Sequence, residues 1–274
     1  MNICFIGGGN MATALIGGLQ GKGFAAQHIS VVEINADNRA KLQQSFGVQA
    51  TAVLTEGLAG SEVIVLAVKP QQLREVSTQL APLLSGQLLI SIAAGIRAVD
   101  LSRWTKSRAI VRAMPNTPAL IQSGMTGIYA LPEVSDSQRE EAQTILAAAG
   151  ETLWVQDEAM LDAVTAISGS GPAYVFYFIE ALQRAARELG FNAEEARRLS
   201  LETFFGASKL AARSDEDVSV LRARVTSKNG TTERALSSMA DNQIAEHIVQ
   251  AAKAAETRAR EMGDELGDKP GENQ

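Results

Sequence analysis

Side chains that carry nucleophilic or metal chemistry are scarce in this 274-residue chain, which has one cysteine and two histidines. A lone thiol builds no disulfide framework and no cysteine-based metal site. Cys4 lies inside the apolar run Ile3-Cys4-Phe5-Ile6, where it reads as a small core residue rather than a nucleophile. His28 and His247 fall outside every motif described below, so a mechanism built on a histidine base has no good candidate. Metal ligands are not evident. Long apolar runs are missing as well: no stretch approaches the roughly 18 residues a membrane span needs, and no basic segment precedes the first apolar run. The chain is expected in the cytoplasm. An excess of positive charge is also absent. A net charge of −6 argues against non-specific attraction to nucleic acid or anionic lipid, while leaving room for a local pocket that takes a small anion.

What is present is ordinary for a globular protein, 46% hydrophobic and 20% charged residues, over a length that accommodates two domains. From Met1 to Asp157, short β-branched runs alternate with stretches of helix composition. The runs are 3–6, 29–32, 63–68, 88–92, 109–111, 127–131 and 152–155. Several are continuously apolar, as strands covered on both faces are. The expectation is an α/β Rossmann-type doubly wound parallel sheet over residues 1–157. Beyond Glu158 the strand-like runs stop, and residues 158–274 read as all-α. A helix is expected after Ser168-Gly169-Ser170-Gly171-Pro172, with Ser170 as cap. Its first turns, Tyr174 to Ile179, are apolar almost all round, which places it at the heart of the second domain or in a subunit interface. Further helices are expected from Asn192, with Glu195 completing a capping box, from near Ser214, and from about Asp241 to Met262 with Gly263 as the stop. The polar tail from about 264 is expected to be loose.

Gly7-Gly8-Gly9-Asn10-Met11-Ala12 follows the first strand directly and opens a helical stretch. Such a turn binds a dinucleotide when Gly7 makes the tight turn, Gly9 lets a pyrophosphate approach the backbone, and Ala12 packs the helix close to the strand. Glu33 ends the second run, 21 residues beyond Ala12. A carboxylate there accepts hydrogen bonds from a ribose 2′-hydroxyl and repels a 2′-phosphate, which tilts the choice between NADH and NADPH towards NADH. Asn35, Asn38 and Arg39 are near enough to soften that preference. Two more loops follow strand ends, Ala67-Val68-Lys69-Pro70 and Met114-Pro115-Asn116-Thr117-Pro118. In the second, flanking prolines are expected to hold the backbone extended with Asn116 and Thr117 pointing out, as the rim of a nicotinamide pocket.

The helical half is interrupted by Val225-Thr226-Ser227-Lys228-Asn229-Gly230-Thr231-Thr232-Glu233. This polar turn offers more donors than a connector needs, although Thr231 or Thr232 acting simply as a helix cap is a structural alternative.

Taken in order, Ile6 to Ala12, Ala67 to Pro70, Met114 to Ala119, Ser168 to Tyr174 and the polar turn resemble the pyrroline-5-carboxylate reductase family. These motifs span residues 6 to 232. The resemblance implies a dinucleotide-binding domain, with Ile6, Gly7, Gly8, Gly9, Asn10, Met11, Ala12, Glu33, Ala67, Val68, Lys69, Pro70, Asn116 and Thr117 at an NADPH or NADH site. It also implies an all-helical domain that intertwines with its twin, often within rings of dimers. The implied reaction is reduction of L-1-pyrroline-5-carboxylate to L-proline. The implied carboxylate cradle is Ser227 with the N–H groups of Gly230 and Thr231, while Thr232 faces the ring nitrogen as the catalytic residue. One departure is Lys228-Asn229, where the family commonly has Pro-Gly; Asn tolerates the left-handed conformation such a turn requires. A β-hydroxyacid dehydrogenase shares the two-domain plan, but the places of its catalytic Lys and Asn are taken here by Val175 and Ile179. A related imine reductase remains an alternative, as does a non-catalytic nucleotide sensor, which would leave the polar turn without a purpose.

Overall fold

The computed structural model describes residues 1–267. Among these, eight strands form one sheet: β1 (Ile3–Ile6), β2 (Ile29–Val32), β3 (Gln49–Thr51), β4 (Val63–Leu66), β5 (Leu88–Ser91), β6 (Ile110–Met114), β7 (Gly124–Ala130) and β8 (Gly150–Trp154). Their order is β3-β2-β1-β4-β5-β6-β7-β8. The crossover helices are α1 (Asn10–Gly21), α2 (Ala36–Phe46), α3 (Leu54–Gly57), α4 (Pro70–Leu80), α5 (Ala98–Thr105) and α6 (Asp136–Leu146).

The continuous apolar runs are explained by two cores. Successive side chains of a strand point to opposite faces. Accordingly Ile3 and Phe5 of β1, Val63 and Val65 of β4, and Leu88 and Ile90 of β5 pack with α1 and α6 residues such as Leu15, Ile16 and Ile145. Their alternates Cys4, Ile6, Ile64, Leu66 and Leu89 pack with Leu73 and Leu80 of α4 and Leu101 and Trp104 of α5. Each such buried aliphatic side chain contributes roughly 1.5–3 kcal/mol relative to exposure. The parallel registers Ile6↔Val32 and Ile6↔Leu66 bring the carboxyl ends of β1, β2 and β4 level with one another. This is where the strand order reverses, and ligands of open α/β sheets gather at such a point.

Two details differ from expectation. β3 is a strand of three residues with no apolar run, half-exposed along its length, and it was not legible as a strand. β7 lies antiparallel to β6, with Val111 opposite Ala130. The link between them is a short 3₁₀ segment, Thr117–Ile121, rather than a crossover helix, so the chain returns in the opposite direction.

The helical part contains α7 (Met160–Val164), α8 (Gly171–Glu188), α9 (Ala193–Ala212), α10 (Val218–Arg224), α11 (Thr231–Asp241) and α12 (Ile244–Leu266). By compactness the described chain divides into Met1–Ser170 with the chain from Ala254 onward, and Gly171–Lys253. This division falls beyond the sequence boundary at 157/158 because α7 is anchored on the sheet. A Cβ on Gly127 of β7 would stand 2.7 Å from Val164, and Leu161 is fully buried.

The Asn192 capping box is present, with Asn192 accepting from the Glu195 N–H and Glu195 from the Asn192 N–H. Other helix boundaries need correction. Ser170 caps nothing: Thr165–Gly169 is a π-turn, and the Ser170 N–H donates to the Thr165 carbonyl at 2.8 Å. The helix expected near Ser214 begins after Asp217, whose carboxylate accepts the Ser219 N–H at 2.8 Å. Instead of one helix from Asp241, the chain breaks at Asn242-Gln243, with Gln243 at φ +52°, before α12 begins. Nor does Gly263 end α12. Its missing side chain makes room for the Arg97 guanidinium, 3.1 Å from where a Cβ would stand, and Arg97 also pairs with Asp264 at 2.7 Å. Residues 264–266, expected to be loose, are therefore helical, and the rest of that tail lies outside the described residues apart from Gly267. Finally, no residue of α8 is buried within the chain. Phe176 is 60% and Tyr177 71% exposed, so α8 is not the heart of a core in this single chain.

Candidate active site

A cleft of 360 Å³ opens at the level ends of β1, β2 and β4. It brings together Ile6, Gly7, Gly8, Gly9, Glu33, Ala67, Val68 and Lys69 from three separate stretches of sequence. Gly7 is at φ +100°, and a Cβ there would stand 2.7 Å from the Ala67 carbonyl oxygen, so a side chain is excluded by both conformation and space. At Gly9, by contrast, a Cβ would meet nothing within 4 Å, which leaves the turn's outer face open to a ligand. Gly9 caps α1 without any side-chain hydrogen bond, and no acidic residue lies in the first turn. The first intrahelical bond is Thr13 N–H to Gly9 carbonyl, so the amides of Asn10, Met11 and Ala12 have no acceptor within the helix. An uncapped N-terminus above an open glycine suits a pyrophosphate. Ala12 itself is buried and packs α1 against the sheet. Pro70 is the first residue of α4, and Lys69 precedes it as an extended N-cap.

Glu33 lines the cleft with its carboxylate anchored on both sides. One oxygen accepts the Gly8 N–H at 2.9 Å and the other the Asn35 N–H at 2.8 Å. Each oxygen retains a lone pair for a further donor. The neighbours expected to soften its influence are mostly committed elsewhere. Arg39 donates to the carbonyls of Glu33 and Ile34, at 2.8 and 2.9 Å, and the Asn35 side chain caps α2 by accepting the Asn38 N–H. Asn38 alone of the three lines the cleft. Sequence reasoning missed Ile34, Ala52, Leu54 and Val76, which supply apolar surface. Ala52 and Leu54 follow the overlooked β3, and Val76 comes from α4, so no local pattern marked them.

Asn116 and Thr117 are not among the residues lining this cleft. Thr117 is exposed, in agreement with expectation, but the Asn116 side chain turns inward. Its amide donates to the Ser168 carbonyl at 3.0 Å and its oxygen accepts the Met125 N–H at 2.9 Å. Asn116 thereby ties the loop after β6 to the π-turn and to β7. Gly169 of the π-turn admits Met114, whose methyl lies 2.8 Å from where a Cβ would be. Single π-turns within helices are frequent at functional sites.

Below this loop lies a buried charge cluster that no motif announced. Arg112 of β6, 5% exposed, pairs with Glu158 at 2.9 Å and approaches Asp162 at 3.8 Å. Glu158 also accepts the Ala98 N–H at the start of α5, at 2.7 Å. Burial raises the Asp162 carboxyl above its ordinary value, against the lowering pull of Arg112 and Arg97. Cys4 is fully buried, and burial pushes its thiol up to about 11, so it carries no thiolate at neutral pH.

The polar turn between α10 and α11 belongs to the other compact unit. The Gly230 N–H donates to the Ser227 carbonyl at 3.0 Å, with Asn229 between them at φ +58°. An i to i+3 bond with positive φ at the third residue marks a type II turn. Gly230 is the N-cap of α11 and makes no side-chain cap bond, so neither Thr231 nor Thr232 caps the helix. A Cβ on Gly230 would stand 2.5 Å from the Ser227 hydroxyl, which therefore sits directly against the helix N-terminus. The Gly230 amide, expected in the carboxylate cradle, is engaged in the turn, whereas the first-turn amides of Thr231 and Thr232 have no helical acceptor.

Comparison with known proteins agrees with both halves of this description. Residues 158–262 match the family model described as pyrroline-5-carboxylate reductase dimerisation, and residues 2–95 match the one described as NADP oxidoreductase coenzyme F420-dependent. Pyrroline-5-carboxylate reductase of Pseudomonas aeruginosa is 45% identical over 97% of this chain and 98% of its own. The chain belongs to the pyrroline-5-carboxylate reductase family. Among solved structures, the reductase of Coxiella burnetii matches with a TM-score of 0.92 and 38% identity, covering 98% of this chain and 99% of that one. The Plasmodium falciparum pyrroline carboxylate reductase, solved with NADP bound, matches with a TM-score of 0.85 and 29% identity over 96% and 98%. A Rossmann-like sheet, parallel except for the β6–β7 pair, followed by a helical dimerisation domain is thus the fold of this reductase family member.

Proposed function

We propose that the chain reduces L-1-pyrroline-5-carboxylate to L-proline with NADPH or NADH. The observation that carries this reading is the α11 N-terminus, where a serine hydroxyl lies against an uncapped helix start in the space that a side chain on Gly230 would need. Such an arrangement suits a small carboxylate, since hydrogen bonds to a charged group contribute about 1.5–3 kcal/mol each. Ser227 and the amides of Thr231 and Thr232 hold the carboxylate, and Gly230 shapes the turn. Thr232 faces the ring nitrogen.

The residues that would hold the dinucleotide are Ile6 to Ala12 at the pyrophosphate, Glu33 at the adenosine ribose, and Ala67 to Pro70 with Asn116 and Thr117 towards the nicotinamide. When bound, the reduced cofactor supplies the hydride that C5 of the imine accepts. Asn116 acts through its backbone, because its side chain is already committed. A protonated cyclic imine is electrophilic already, so the chain's own contribution is positioning, and accepting the hydride converts the iminium into the amine of proline. We place the dinucleotide-binding part at 1–157 and the helical part from 158. We further propose an intertwined dimer, assembling into a ring of dimers, in the cytoplasm; the exposed apolar residues of α8 support the first of these.

Loss of reduced nicotinamide absorbance with purified protein and the imine tests the reaction. Saturable oxidation is expected, and a Thr232→Ala variant is expected to lose turnover by about tenfold or more while keeping its affinity for the nucleotide. Unchanged kinetics in that variant would remove Thr232 from the mechanism.

A further inference from the structure

Glu233, in the first turn of α11, folds its side chain back over the helix start, and its carboxylate accepts the Asn229 N–H at 2.6 Å. Asn229 is the residue of the turn that occupies left-handed backbone, at φ +58°. Both central residues, Lys228 and Asn229, are exposed, and neither holds the turn by its chemistry. Lysine imposes no φ, and asparagine tolerates the left-handed region without preferring it as glycine does. Besides the Gly230 N–H to Ser227 carbonyl bond, the contact from Glu233 is what secures this conformation. The carboxylate bonds an amide outside the helix and leaves those of Thr231 and Thr232 without a side-chain acceptor.

We propose that Glu233 is a positioning residue for the substrate turn: its hydrogen bond to Asn229 holds the Ser227 hydroxyl and the α11 amides in the geometry that receives the substrate carboxylate. The proposal rests on the function proposed above. A turn of this type is otherwise made rigid by proline at its second position, which sets φ, and glycine at its third, which removes the left-handed cost. Lys228-Asn229 supplies neither, and Glu233 takes over the task from outside the turn.

The test compares the wild-type chain with Glu233→Ala, Glu233→Gln, and Glu233→Ala combined with Lys228→Pro and Asn229→Gly. KM for the imine, KM for reduced nicotinamide and kcat are measured together with amide exchange over residues 227–231. Glu233→Ala is expected to raise the imine KM roughly tenfold, leave the nicotinamide KM unchanged and speed exchange of the turn. Glu233→Gln, which keeps an acceptor, is expected to recover most of the loss, and the triple variant to recover it without any acceptor at position 233. An unchanged or lowered imine KM in Glu233→Ala would overturn the proposal, the lowered value meaning that the carboxylate repels the substrate. So would both KM values rising together, or a triple variant as impaired as Glu233→Ala. No turnover of the imine by the wild-type chain would overturn the functional reading itself and this role with it, and the exchange data would then report only whether Glu233 holds the turn.

Discussion

At Glu33 one carboxylate secures the backbone of the glycine turn while facing the cleft, with its two oxygens on the amides of Gly8 and Asn35. Glu33→Gln preserves an acceptor for Gly8 and removes the charge that opposes a 2′-phosphate. The ratio of kcat/KM for NADPH over NADH should therefore rise, by about tenfold for a change of 1.4 kcal/mol; steady-state kinetics with both cofactors would show it. An unchanged ratio would mean that Glu33 does not read the ribose. Glu33 was legible because its distance from the glycine turn is set by one strand-helix-strand unit. Asp162 was not, since its surroundings come from β6, the loop before α5 and α12 as well as from its own segment. Its raised pKa, caused chiefly by burial, means that the folded state binds the proton more tightly than the unfolded chain. The stability this carboxyl contributes is full below its ordinary value of 3.8 and is lost as pH rises through the raised one. Asp162→Asn should accordingly melt above the wild type at neutral pH, with the gap closing as pH falls towards 4 in a series of thermal melts.

Among the elements, those whose ends are written in local chemistry were read correctly, such as α9 with its capping box. Those ended by distant contacts were not. α12 passes through Gly263 because Arg97, from the loop before α5, occupies the space beside it. α8 does not begin at a cap because the preceding helix continues into a π-turn. Asn116 joins that π-turn to the loop after β6 and to β7. Replacing it with alanine leaves the half-buried Ser168 carbonyl and Met125 N–H each short of a hydrogen bond and should destabilise the fold by about 1–3 kcal/mol in denaturant titration. Asn116→Asp keeps an acceptor for Met125 but sets a negative charge against the Ser168 carbonyl, and it should cost more than Asn116→Ala.

For the whole molecule, the apolar surface of α8 is left open by a single chain. Val175, Phe176, Tyr177 and Leu182 are each more than 40% exposed, and the sequence from 158 to 262 matches a dimerisation family. Burial of a residue such as Phe176 in a dimer contributes roughly 1.5–3 kcal/mol per copy, and an unpaired carboxylate in its place would oppose association. Phe176→Glu should therefore shift the protein to a monomer in light scattering. The wild type should melt at higher temperature as its concentration is raised, because binding of a second folded copy stabilises the first.

Short-range chemistry was enough to divide this chain into a sheet half and a helical half, to locate the glycine turn and its acidic partner, and to mark the polar turn before α11. Each depends on residue spacing within one turn, one strand or one strand-helix-strand unit. Tertiary structure alone decided how the hydrogen-bonding groups were spent. The Asn116 side chain proved to be committed to Ser168, and the Glu158 carboxylate to Ala98 and Arg112, partners that lie 52, 60 and 46 residues away along the chain. That allocation follows from which backbone and side-chain groups the fold brings within about 3 Å, a distance that separation along the chain does not encode.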